Sequence, residues 1–137
     1  MPPSTQKALL LDAKFGKFVV DTIPVPKPGP GEVLVKIQAA ALNPVDWKVQ
    51  KYGIFADKFP AVLGMDIAGD VEELGEGVTD SSVGDLHYHQ DLLITHHLSL
   101  KRVVQGDIKN EYAGFQQYAL GIAASVAKVD HVFSLFE

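Results

Sequence analysis

The chain has 137 residues, 47% of them hydrophobic and 21% charged, with a net charge of −5. That length suits one core and is short for two large domains, and an acidic balance without any Lys/Arg run argues against general nucleic-acid binding. There are no cysteines, which excludes disulfides, thiolate zinc sites and a cysteine nucleophile.

No apolar run approaches the roughly 18–20 residues that span a bilayer. The polar start, Met1–Gln6, lacks the apolar stretch of a signal peptide. The expectation is a cytoplasmic protein with no membrane partner.

Lys7–Leu11 is a short apolar run that reads as a first strand. Asp12–Lys14 reads as a turn, and Phe15–Asp21 as a second strand. Ile23–Gly31 holds four prolines, which forbid a helix or a central strand and predict an extended surface loop ending in a turn. Glu32–Leu42 is the clearest strand: Val33, Val35 and Ile37 fall on one face, Lys36 and Gln38 on the other. Pro44–Lys51 suits a short helix with Asn43 as N-cap and Pro44 at its first position.

Tyr52–Pro60 reads as a loop. Ala61–Leu74 is apolar and interrupted by Gly64 and Gly69, as in a bent barrel strand. Gly75-Glu76-Gly77 is a turn, and Val83-Gly84-Asp85 opens a further element. Leu86–Lys101 follows neither the helical nor the strand period. Strand character resumes at Arg102–Val104 and again at Gly114–Leu120. Asp130–Glu137 is an abrupt apolar end. Many short strands between Gly/Pro turns predict a mainly β barrel with a few short helices.

His87, His89, His96 and His97 lie close in sequence, and the first two would share a strand face. Nothing around them supplies a supporting shell, so no metal is assigned.

Several segments occur in one order: Pro28–Lys36, Ala41–Lys48, Phe59–Gly69, Val71–Val78 and Val83-Gly84-Asp85, then Asn110–Leu120 and Val126–Val129. Together they resemble the GroES-like N-terminal domain of medium-chain dehydrogenase/reductases. The nearer likeness is to the zinc-free quinone-oxidoreductase and fungal trans-acting enoyl-reductase branch. It covers about residues 7–85 and 102–129.

The resemblance implies a mainly β fold, a partly open GroES-like β-barrel forming one wall of a cleft. A Rossmann domain holding NADPH or NADH forms the other wall. The zinc-dependent branch has a Cys where Asn43 stands and a His where Met65 stands, so the resemblance implies a site without zinc. It further implies hydride transfer to a small-molecule substrate, an activated double bond or a quinone, with the protein positioning the reactants.

On that reading Asn43 lies near the nicotinamide and holds its carboxamide or a substrate carbonyl; its plain alternative is an N-cap. Asp46 steadies the same loop or simply favours the helix start. Trp47 packs or touches substrate. Tyr52 donates a proton or lines the pocket, or else packs in an exposed loop. Asp66 anchors a hydrogen-bond network.

Two departures stand out. Removing Leu86–Lys101 would rejoin Val83-Gly84-Asp85 to Arg102-Val103-Val104 and restore the family pattern. The expectation is therefore one GroES-like domain over residues 1–137, carrying a non-family insertion at 86–101, such as a retained intron, that forms an extra loop or disturbs strand pairing. The chain also ends soon after Val129, with a truncated C-terminus. It contains no G-x-G-x-x-G fingerprint, and Gly75-Glu76-Gly77 lacks the third glycine. The Rossmann domain is thus expected to be absent, with cofactor bound weakly at best and little turnover by this chain alone. The alternatives are a non-catalytic GroES-like binding module, associating with a homologous full-length subunit, or a truncated product without function.

Overall fold

The computed structural model describes residues 1–79, 81–84, 86–90 and 109–128. Their elements are mainly strands, in two antiparallel sheets that leave a partly open barrel. The smaller sheet has the order β2-β1-β4, formed by Phe18–Pro24, Thr5–Leu11 and Ala61–Val62. The larger has the order β7-β3-β5-β6-β8. Its strands are Tyr118–Ile122, Glu32–Ala40, Asp66–Leu74, Leu86–Gln90 and Val126–Lys128. One α-helix, α1 (Pro44–Tyr52), links β3 to the β4–β5 region. No helix among the described residues is long and apolar enough to cross a membrane.

Strand β1 alternates as its sequence suggests, with Gln6, Ala8 and Leu10 buried. The second strand lies three residues later than the expected Phe15–Asp21. The reason is a tight turn over residues 12–17: the Lys17 N–H donates to Asp12 Oδ1 at 2.7 Å, and the Asp12 N–H to the Lys17 carbonyl at 3.0 Å. The strand then runs on to Pro24. It lies at the edge of its sheet, where a proline's missing N–H need not cost a ladder bond.

Strand β3 buries Val33 and Val35 as its alternation requires, and Leu34 is buried as well, so both faces are covered at its start. Two register shifts against β5, at Leu34/Val35 and Ile37/Ala39, let the strand bend. Val33, Val35, Ile67, Val71 and Ala119 make one apolar cluster. Leu11, Val49, Ala56, Ala61 and Leu63 make a second, into which α1 inserts Val49.

A buried amide pair joins the two sheets. Gln6 Nε2 donates to Gln116 Oε1 at 3.0 Å, and Gln6 Oε1 accepts the Tyr118 N–H at 2.6 Å. Gln116 Nε2 in turn donates to the carbonyls of Ala113 and Asn110 at 2.7 and 2.6 Å. Both glutamines are under a tenth exposed, so this polar seam replaces water with fixed partners.

Within the aperiodic segment, Leu86–Gln90 forms a strand that pairs with β5 from Asp70↔Leu86 to Asp66↔Gln90, and with β8 on its other edge. The remaining residues of that segment, His96 and His97 among them, lie outside the described residues, as do Arg102–Val104 and Asp130–Glu137.

Candidate functional site

The helix start brings three of the expected residues together. Asn43 has an extended backbone (φ −107°, ψ 149°), and Pro44 occupies the first helical position. The Asp46 carboxylate reaches back to accept the Asn43 N–H at 2.7 Å, while the Asp46 N–H donates to the Asn43 carbonyl at 3.0 Å. The Asn43 side chain lies over the Asp46 backbone N–H in the arrangement of a capping box. Gly53, in the left-handed conformation, ends the helix and donates its N–H to the Val49 carbonyl at 2.9 Å.

A long-range partner then meets this local cap. Asn43 Nδ2 donates to Asp66 Oδ2 at 2.9 Å. The backbones meet at the same place, with the Ala41 N–H donating to the Asp66 carbonyl at 3.0 Å. The end of β3, the start of α1 and the start of β5 therefore converge on one side-chain amide and two carboxylates.

Asp46 is buried, with only 8% exposure. Burial pushes its carboxyl above the ordinary carboxylate value; the N–H groups of Asn43 and Gly64 act the other way, and the nearby Asp66 charge adds to the rise. Gly64 thus belongs to the site. Its φ is +93°, and a Cβ there would lie 2.6 Å from Phe115 Cδ1. Its carbonyl accepts the Gly114 N–H at 2.8 Å. The sequence marks Gly64 only as a strand break; the Leu63-Gly64-Met65-Asp66 run was the available signal for its closer role.

Trp47 and Tyr52 form a second group along α1. Their ring centroids lie 5.8 Å apart, and Lys51 Nζ sits 5.7 Å from each. Lys48 Nζ is also 5.7 Å from the Trp47 ring. Both rings are about half exposed, so Trp47 is no core residue, and Tyr52 closes the helix where a loop was expected. Among the described residues no group of three His, Asp or Glu side chains gathers to hold a metal ion.

A profile of the alcohol dehydrogenase GroES-like domain matches residues 29–133. The chain belongs to that family. Its members are NAD(P)H-dependent oxidoreductases of the medium-chain dehydrogenase/reductase group. The GroES-like chain is 47% identical over 66 residues to the chloroplast envelope quinone oxidoreductase homolog of Arabidopsis thaliana, covering 46% of this chain and 20% of that protein. It is 42% identical over 82 residues to the trans-enoyl reductase fsr4 of Gibberella fujikuroi, covering 60% of this chain and 23% of that protein. The chain thus spans about a fifth to a quarter of these relatives. A cobalt- and zinc-bound alcohol dehydrogenase from Pyrobaculum aerophilum superposes with a TM-score of 0.75 at 27% identity, covering 93% of this chain and 42% of that one.

Proposed function

We propose that this chain is the substrate-side domain of a zinc-independent NAD(P)H-dependent oxidoreductase of the enoyl- or quinone-reductase type. The observation that carries the reading is the Asn43–Asp66 hydrogen bond. It gives the meeting point of β3, α1 and β5 a neutral amide whose orientation a carboxylate partner sets. Hydrogen bonding, not Lewis acidity, is the electrophilic help such a site offers.

The nicotinamide, when bound, supplies the hydride. Asn43 fits its carboxamide or a substrate carbonyl, being half-buried and neutral. The Asp46 carboxylate holds the Asn43 backbone and so fixes where that amide sits. Trp47 and Tyr52 add an exposed aromatic surface beside lysines, suited to a flat, electron-poor substrate. The sequence holds no G-x-G-x-x-G to grip the cofactor's phosphates. The reading therefore needs a second, nucleotide-binding wall.

The test has two parts. The purified chain, expressed with added zinc, should hold far less than one zinc per chain by elemental analysis. Fused to the nucleotide-binding domain of a zinc-free relative, it should oxidise NADPH with an enone or a quinone. Asn43→Ala should lower that rate roughly tenfold, the scale of one lost oriented hydrogen bond in a transition state. Stoichiometric zinc, or a fusion indifferent to Asn43, would sink the reading. Tight NADPH binding by the unfused chain would contradict the need for a second wall.

A further inference from the structure

An asparagine amide can sit either way round, and its two faces offer opposite chemistry: one accepts, the other donates. A substrate carbonyl needs the donor. Here the partner settles the matter. An ionised carboxylate only accepts hydrogen bonds, so Asp66 Oδ2, 2.9 Å from Asn43 Nδ2, tolerates the nitrogen and repels the oxygen. With one N–H on Asp66, the Asn43 amide keeps a second N–H.

We propose that Asp66 is a positioning residue that locks the Asn43 amide in one orientation, so that its second N–H donates to the carbonyl oxygen of a bound enone or quinone. The inference rests on the oxidoreductase reading for the identity of that carbonyl, but the lock itself does not. Asp66 touches no reacting atom; it acts through Asn43.

The whole chain is small enough for solution NMR, and the two Asn43 side-chain protons can be followed one by one. In the wild type the proton on Asp66 should resonate well downfield of its partner and exchange slowly with water. Asp66→Asn should shrink that separation to the ordinary value for a primary amide and speed the exchange, because an amide partner accepts or donates equally well. Asp66→Glu keeps an acceptor-only group and should retain part of it; it also guards against the first variant failing to fold, which the dispersion of the amide spectrum reports.

Titration with 2-cyclohexenone should then shift the second Asn43 proton in the wild type. Asp66→Asn should bind the enone roughly fivefold more weakly, about the value of one neutral hydrogen bond. Asn43 protons that are alike in the wild type and in Asp66→Asn would overturn the lock. A lock that forms, with enone leaving the Asn43 amide unmoved, would overturn the donor role and the substrate reading together.

Discussion

Gly64 connects the fold to the site, and replacing it separates two kinds of cost. Gly64→Ala would put a Cβ 2.6 Å from Phe115 Cδ1, 2.9 Å from Cε1 and 3.0 Å from the Phe115 backbone nitrogen, at φ +93°. The positive φ alone costs a non-glycine residue about 1–2 kcal/mol, and forcing the methyl against Phe115 adds about 1–3 kcal/mol. Gly77→Ala is the matched control: φ is +77°, and a Cβ there meets nothing within 4 Å. It should cost only the backbone share, about 1–2 kcal/mol. Urea unfolding followed by circular dichroism should therefore rank Gly64→Ala about 1–3 kcal/mol below Gly77→Ala. Thermal melting should fall by roughly 10–20 °C for Gly64→Ala in a chain of this size. Equal losses in the two variants would refute the crowding at Phe115.

Three further outcomes follow. Burial raises the Asp46 carboxyl above its ordinary value of 3.8, so the folded state holds that proton more tightly than the unfolded chain. Asp46's contribution is thus fully present below the unfolded value and lost as pH rises through the folded one. Urea unfolding should show the wild type losing stability relative to Asp46→Asn from about pH 4 upward; a difference that stays flat with pH would refute this. Gln116→Leu strands the Ala113 carbonyl and leaves the Gln6 amide nitrogen only the Pro24 carbonyl at 3.4 Å, at a cost of about 1–3 kcal/mol in the same assay, and no measurable loss would show that water or repacking satisfies them. Deleting residues 86–101 should leave a folded chain in which Arg102-Val103-Val104 takes the place of Leu86–Gln90 between β5 and β8. Loss of dispersed amide signals on deletion would show that the present strand is required.

Much of the scaffold was legible because its causes are local. The alternation of Val33, Val35 and Ile37 against Lys36 and Gln38 marks a strand whatever it pairs with. Asn43-Pro44 and Asp46 mark a helix start because the cap is built within four residues. The Leu86–Gln90 strand was not legible, because its sequence has no period of its own. The open edges of β5 and β8 accept an extended backbone through main-chain bonds, to which side chains are nearly irrelevant. The burial of Gln6 and Gln116 has no local signal, since nothing nearby in sequence tells either of a partner 110 residues away.

The site divides along the same line. Sequence places Asn43 at the helix start, where a cap and a ligand-facing amide are equally consistent with the residue. What its amide does is decided 23 residues on, by the register of β5 against β3. Ala40 faces Ile67, and the next backbone bond, from Ala41 to the Asp66 carbonyl, sets Asp66 beside Asn43. A slip of one residue would turn Asp66 to the other face of its strand and leave the helix capped as before. Helix and site therefore depend on different things: the cap on four neighbouring residues, the oriented amide on two β-bulges that hold the strands in step. A variant that removes a bulge and keeps α1 intact should abolish the Asn43–Asp66 bond while leaving helix content unchanged.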